Sequence, residues 1–287
     1  MKHDYLEVNG VRLHYVSAGE GPLMLFLHGF PEFWYAWKNQ LQEFGQDHLA
    51  VAPDMRGYNL SAKPADLDAY RIGALVEDVR ALADHFSHQR KFTLVAHDWG
   101  GAIAWAFAIR HPELLERLVI INAPHPGVFA KLLSSNMEQQ KASGYMTWFR
   151  RPEAEARLSA DGYAWLLSSA MGAGLKSGAF SAEDKAEYLH AWSQPGALTG
   201  GLNYYRANQL GPPAGGGLGL DPAKLTIKVP TLVIWGEADT ALTVNNLDGL
   251  DSYVPQLTIQ RIPGASHWVI HERPDVVNGF IREFLHR

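Results

Sequence analysis

The chemically suggestive residues of this chain lie in one short run, Ala96-His97-Asp98-Trp99-Gly100-Gly101, between the β-like stretch Phe92-Thr93-Leu94-Val95 and the helix-like stretch Ala102 to Arg110. A candidate nucleophile flanked by small residues between strand and helix is the nucleophile-elbow pattern, a sharp turn that lifts one side chain above the carboxyl end of a parallel sheet. Serine is the usual occupant of the raised position. Here it is Asp98, and Ala96 replaces the first glycine of the pattern at the cost of one methyl group. A serine attacking saturated carbon would end as an ether. A carboxylate gives an ester whose carbonyl belongs to the protein, and water can hydrolyse it. Asp98 therefore points to a substrate with an electrophilic saturated carbon, such as an epoxide or an alkyl halide. Taken alone, the aspartate would serve equally well as the N-cap of the helix that follows.

Hydrolysis of such an ester needs a general base, and the base needs an acid to orient it. The strand-like run Thr231 to Trp235 leads into Gly236-Glu237-Ala238-Asp239, and Leu257 to Ile262 leads into Pro263-Gly264-Ala265-Ser266-His267-Trp268. Both loops follow strands, so Asp239 and His267 are expected at the same sheet edge as Asp98. Asp239 is preferred over Glu237 because it stands farther into its loop. His267 is one of 13 histidines, and its place in the order nucleophile, acid, base distinguishes it from the others. His28-Gly29-Phe30-Pro31 follows the run Leu23 to Leu27, so the Phe30 and Trp99 N–H groups are the expected oxyanion-hole donors. The plain alternative is a turn stiffened by Pro31, a candidate cis proline.

The elements that must position these residues follow from periodicity. Tyr5 to Val8 and Val11 to Ser17 form a hairpin turning at Asn9-Gly10. Leu23 to Leu27, Leu49 to Ala52, Phe92 to Ala96 and Leu118 to Ile121 are buried strands alternating with amphipathic helical segments. This pattern predicts an α/β fold with a mainly parallel sheet and helices on both faces. The alternation stops from about Pro124 to Asp221, a helical stretch rich in Ala, Leu, Trp, Tyr and Glu that closes with Gly211-Pro212-Pro213-Ala214-Gly215-Gly216-Gly217. It then resumes with Thr231 to Trp235, Leu257 to Ile262 and a last helix from Pro274 to His286. The expected division is a core of 1–124 and 222–287 with a helical lid, 125–221, over the carboxyl ends of the strands, where ligands bind in open α/β sheets.

Composition narrows the function classes. At 287 residues with 47% apolar content the chain can bury a large core, and a net charge of −5 without basic runs gives nucleic acid or an acidic membrane nothing to bind. There is no signal-peptide pattern and no apolar run long enough to span a membrane, so a soluble, cytoplasmic protein is expected. The absence of cysteine rules out disulfides and thiol catalysis.

Together His28-Gly29-Phe30-Pro31, Asp54-Met55-Arg56-Gly57-Tyr58, His97-Asp98-Trp99-Gly100-Gly101, Asn122-Ala123-Pro124-His125, Asp239 and His267 resemble the α/β-hydrolase-fold epoxide hydrolases over nearly the whole chain. The resemblance implies the α/β-hydrolase fold, with an eight-stranded sheet, and two lid tyrosines that hold and protonate the epoxide oxygen. Tyr205, in Leu202-Asn203-Tyr204-Tyr205-Arg206, matches one of them. Tyr145, in Tyr145-Met146-Thr147-Trp148-Phe149, stands where the other is expected, and Tyr163, Tyr188 and Tyr204 are reserves. His28, Pro31, Trp148 and Trp192 are the further residues expected against substrate, with Trp165 in lid packing or the pocket wall. No metal or organic cofactor is implied. The expected partner is a small apolar epoxide, and the chain is expected to act as a monomer or homodimer. Haloalkane and haloacetate dehalogenases share the core and are the alternative, with Trp99, Trp148 or Trp192 as halide donors. A non-catalytic ligand-binding homologue is a more distant one. Phe30 in place of a halide-binding asparagine, and Trp99 and Thr147 in place of the arginine and histidine of fluoroacetate-type enzymes, favour the epoxide.

Overall fold

The computed structural model describes residues 1–212 and 221–286. Asn9 and Gly10 both have positive φ, 48° and 75°, the backbone that a two-residue hairpin turn requires. They join β1 (Lys2–Val8) to β2 (Val11–Ala18), with Val8 paired to Val11. The strands β3 (Leu23–Leu27), β4 (Leu49–Pro53), β5 (Phe92–His97), β6 (Leu115–Ile121), β7 (Thr231–Gly236) and β8 (Leu257–Ile262) complete one eight-stranded sheet ordered β1-β2-β4-β3-β5-β6-β7-β8. β2 runs antiparallel to β1 and β4, and all the other pairs are parallel. The buried interior strands β3, β5 and β7 read as near-continuous apolar runs because helices cover both faces of the sheet.

On one face, α1 (Lys38–Phe44) packs on β2 and β4 and meets the chain-terminal helix Pro274–Leu285. On the other, α2 (Ile72–Ser87) and α3 (Trp99–Arg110) pack together over β3 and β5. Between β6 and β7 the chain leaves the sheet for α4 (Pro126–Ser135), α5 (Met137–Ala142), α6 (Gly144–Phe149), α7 (Ala154–Leu166), a π-helical turn at Leu167–Met171, α8 (Gly172–Ser177), α9 (Ala182–Ser193) and α10 (Ala197–Asn208). After β8 follow α11 (Val269–Glu272) and the terminal helix, α12. α7 is broken at Asp161-Gly162-Tyr163, all left-handed with φ of 50°, 64° and 66°. From residue 213 onward the expected glycine-rich loop lies outside the described residues.

α10 shows how small residues bring a helix onto the sheet's carboxyl edge. A Cβ on Gly200 would fall 2.2 Å from the Gly57 carbonyl oxygen, and one on Gly201 would fall 2.8 Å from the Phe30 ring. One turn on, the Tyr204 hydroxyl donates to Arg56 O at 2.8 Å, and one turn further Asn208 bonds Tyr70 O and Ile72 N at 3.0 and 2.9 Å. These contacts fix the helix, and with it the direction of Tyr205.

Candidate active site

β5 ends at His97 and α3 begins at Trp99, so Asp98 alone makes the turn, at φ 50° and ψ −121°. Such a backbone is costly for a residue with a Cβ and persists only where its surroundings hold it. The glycines nearby are steric necessities. A Cβ on Gly29 would lie 2.2 Å from Asp98 Oδ1, one on Gly100 2.3 Å from Leu27 O, and one on Gly101 2.2 Å from the Ala123 Cβ.

The two carboxylate oxygens of Asp98 have different partners. Oδ1 accepts the Phe30 N–H at 2.8 Å, while Oδ2 lies 3.5 Å from His267 Nε2. Phe30 is presented by the turn Gly29 to Glu32, closed by Glu32 N–H donating to Gly29 O at 2.9 Å, with a cis Phe30-Pro31 bond. Trp99 N–H heads α3 beside Asp98, and no hydrogen bond from it to the carboxylate is formed in this structure.

His267 Nδ1 is 2.7 Å from Asp239 Oδ2. Asp239 Oδ1 accepts the N–H groups of Ala241 and Leu242 at 2.8 and 2.9 Å, and the Asn122 side-chain amide donates to Oδ2 at 2.8 Å. Burial works against the charge of Asp239, but His267 and these donors outweigh it and hold the carboxyl below its usual range. Burial likewise disfavours an imidazolium, yet the Asp239 and Asp98 carboxylates hold His267 well above the ordinary histidine value. Glu237, the competing acid, turns outward, 3.4 Å from Arg261.

A second layer braces the histidine loop. His97 Nε2 lies 2.9 Å from the His267 carbonyl oxygen, and its Nδ1 lies 3.2 Å from the buried Glu32. Glu32 also meets His271 Nε2 at 2.5 Å and accepts the Tyr188 hydroxyl at 2.8 Å. Burial resists the charge on Glu32, but the two histidines hold its carboxyl well below the usual range. Sequence reasoning missed Glu32 and His271, and it singled out the Asn122 motif without assigning Asn122 its bond to Asp239. Their only signal was proximity to motifs in the chain, because their partners lie far away in sequence.

Tyr205 stands edge-on to Trp99, ring centroids 5.1 Å apart, and Tyr145 lies 6.2 Å from Tyr205. Burial first, then the Asp98 and Asp239 carboxylates around Tyr145 and the Tyr145 phenol and Asp98 carboxylate around Tyr205, push both well above the ordinary tyrosine value, so both stay protonated at neutral pH. Asp98, Tyr145 and Tyr205 are shared by two adjoining cavities. The smaller, about 70 Å³, runs between Phe129, Leu133, Met146 and Leu242, and the larger, about 240 Å³, between Phe149, Trp165, His267 and Trp268.

Of the four residues expected against substrate, Pro31 lines the larger cavity, and the other three line neither. His28 is fully buried, with Nδ1 3.0 Å from Gly29 O and Nε2 accepting Met55 N–H at 3.0 Å, so it braces two loops. Trp148 is half-buried and packs on Trp165 and Phe149. The Trp192 indole N–H is taken by Pro31 O at 2.6 Å. The reserve tyrosines bond elsewhere: Tyr163 to Trp192 O, Tyr188 to Glu32, Tyr204 to Arg56 O. Trp165, expected in lid packing or the pocket wall, lines the larger cavity. Among the described residues no His, Asp and Glu cluster is arranged to hold a metal, and no helix is long and apolar enough to cross a membrane.

Comparison with known proteins agrees with this architecture. Residues 22–274 match the family model of the alpha/beta hydrolase fold. The chain is 40% identical to the AB hydrolase superfamily protein YfhM of Bacillus subtilis, over 99% of this chain and 98% of that one. It is 38% identical to epoxide hydrolase 4 of Mus musculus, over 99% of this chain and 79% of that protein. A crystal structure of the Bacillus megaterium epoxide hydrolase in complex with an inhibitor superposes with a TM-score of 0.94 at 40% identity, covering 99% of this chain and 100% of that one. The epoxide hydrolase VrEH1 of Vigna radiata superposes with a TM-score of 0.82 at 31% identity, covering 99% and 97%. With the fold, the full-length coverage and the named relatives in agreement, this chain belongs to the epoxide hydrolases of the α/β-hydrolase fold.

Proposed function

We propose that the enzyme opens its epoxide by attack of Asp98 on a ring carbon and releases a vicinal diol by hydrolysing the resulting ester. The observation that carries this is the different surroundings of the two Asp98 oxygens. Phe30 N–H occupies Oδ1, and Oδ2 is left to form the bond to carbon. As that bond forms, the carbon–oxygen bond of the ring breaks and the alkoxide takes a proton from Tyr145 or Tyr205. A phenol can supply that proton while remaining protonated between turnovers.

Ester formation removes the charge of Asp98, one of the two carboxylates that keep His267 protonated. Its pKa then falls, its proton passes to the tyrosinate left by ring opening, and the neutral imidazole, oriented by Asp239, takes a proton from water as the water oxygen adds to the Asp98 carbonyl carbon. Negative charge collects on Oδ1, where Phe30 N–H already points and where Trp99 N–H is the second candidate donor. Collapse of the intermediate breaks the bond between the Asp98 carbonyl carbon and the diol oxygen, which takes the proton from His267, and the Asp98 carboxylic acid so formed returns its proton to His267 to restore the starting pair.

Apart from Asp98 and His267, the cavity walls carry no charged side chain among the described residues, which suits a neutral, apolar epoxide. In this reading residues 125–221 form the lid over the core 1–124 and 222–287. Halide as leaving group is less well served: Trp148 and Trp192, the lid indoles that could have supplied the second halide donor, lie outside both cavities, and the Trp192 N–H already has a partner. A panel of styrene-type and aliphatic epoxides, haloalkanes and fluoroacetate, scored for diol and for released halide, tests this. Diol from the epoxides is expected, and halide release without diol would overturn the proposal.

A further inference from the structure

α9 carries Asp184, Tyr188 and Trp192 one helical turn apart on a single face, and each reaches the segment that follows Phe30. Asp184 accepts the Tyr35 hydroxyl at 2.9 Å and pairs with Lys38. Tyr188 donates to Glu32 at 2.8 Å, and Trp192 Nε1–H donates to Pro31 O at 2.6 Å. The last bond is the nearest to the chemistry, because Pro31 follows the residue whose N–H holds Asp98 Oδ1. Trp192 is buried, packed between Tyr188 and Tyr163 with ring centroids 5.7 and 5.9 Å away. The space where it meets Phe30 and Pro31 amounts to about 10 Å³. That is at the lower limit for a single water, so in the native packing water has little room to compete with the indole N–H for the Pro31 carbonyl.

We infer that Trp192 is a positioning residue whose indole N–H holds the Phe30–Pro31 turn in place, so that a helix of the inserted segment sets the oxyanion site of the sheet. The inference rests on the Asp98-ester reading, and it divides the two chemical steps. During attack on the epoxide, Asp98 loses negative charge, so a donor at Oδ1 stabilises the starting carboxylate at least as well as the transition state and does not speed the step. During hydrolysis a full charge gathers on Oδ1, and the same donor lowers the barrier. Loosening the turn must therefore slow hydrolysis and spare alkylation.

The test is single-turnover kinetics with intact-mass detection of the covalent intermediate, on wild type, Trp192→Phe and Asp184→Asn, with melting temperatures alongside. Removing a whole oxyanion donor costs roughly 10²–10³-fold, so a loosened one should cost about tenfold or more in the hydrolysis rate. For Trp192→Phe we expect that loss, an alkylation rate within about threefold of wild type, and a larger fraction of protein carrying the epoxide mass during turnover. Asp184→Asn loosens the same helix without touching the turn, so it should lower the melting temperature and leave the ratio of the two rates unchanged. If Trp192→Phe only lowers the melting temperature, or slows both steps equally, the positioning role is wrong. If Trp192→Phe does not fold, Trp192→Gln and Trp192→Met, close in volume and differing in the donor, decide the matter. Faster hydrolysis in the Gln variant supports the role, and equal rates refute it. A wild-type enzyme that makes diol with no mass adduct, even under rapid quench, would instead remove the Asp98-ester reading itself.

Discussion

α9 and α10 meet the sheet through directional bonds from successive turns, whereas α6 to α8 meet it chiefly through rings. From α9 come Asp184, Tyr188 and Trp192, and from α10 come Tyr204 and Asn208, each bonded to a backbone or side-chain partner on the core, while Gly200 lets α10 lie against Gly57. From α6 to α8 the contacts are edge-on ring pairs such as Phe149 with Phe30 and with Tyr205 of α10, centroids 5.1 Å apart, together with a hydrogen bond from Trp268 Nε1–H to Ser169 O at 3.2 Å. Hydrogen bonds fix position and angle, while ring packing tolerates repacking. The anchored half carries Tyr205 and bonds to the Phe30–Pro31 turn through Trp192. The ring-packed half carries Tyr145 and much of the wall of the larger cavity, so it is where substrate shape can change without dismantling the chemistry.

The largest effect expected is the one that spans both halves. Replacing Tyr145 and Tyr205 together with Phe should lower epoxide opening by about 10³-fold while substrate still binds, as checked by single-turnover kinetics. Full retained activity would remove the tyrosines from the mechanism. Next comes a glycine in each half. Gly200→Ala must push α10 off Gly57 and shift Tyr205, with a melting-temperature drop of roughly 5–10 °C and an activity loss of about tenfold or more. Gly144→Ala, whose Cβ would meet nothing within 4 Å, should change stability by under about 1 kcal/mol. Equal effects at the two glycines would erase the contrast.

Phe149→Ala should reorder the substrate panel toward bulkier epoxides and change the rate on the best of them by about tenfold or less. A uniform collapse across the panel would mean that the ring-packed half is as rigid as the other. The smallest effect is electrostatic. Burial opposes the charge of Asp184, but Lys38, Ser181 N–H and Tyr35 hold its carboxyl at about 2, below the usual value of about 4. The stability this contributes is complete above pH 4 and is lost as pH falls toward 2. Asp184→Asn should flatten that part of the acid-unfolding curve, and an unchanged curve would show that the anchor carries no linked charge.

Much of the fold was legible because its signals are local. The hairpin turn at Asn9-Gly10, the apolar strands and the small residues around Asp98 each declare a backbone conformation, and the strand boundaries fall within about three residues of those expected. Asp239 and His267 could be paired with Asp98 because topology alone brings successive strand ends to one edge. What the sequence did not disclose was side-chain direction. His28, Trp148 and Trp192 belong to the right segments, yet one braces loops, one packs on neighbouring rings and one bonds to Pro31, and composition does not distinguish these fates. Glu32 escaped notice for the same reason, since its partners His97, Tyr188 and His271 are remote in the chain.

A covalent bond to Asp98 is the central claim, and His267→Gln addresses it most directly. That variant removes the base and leaves attack intact, so after incubation with an epoxide its intact mass should rise by one whole epoxide, mapped to Asp98 by peptide sequencing. A folded variant that binds the epoxide and shows no added mass, across a range of epoxides, would contradict it.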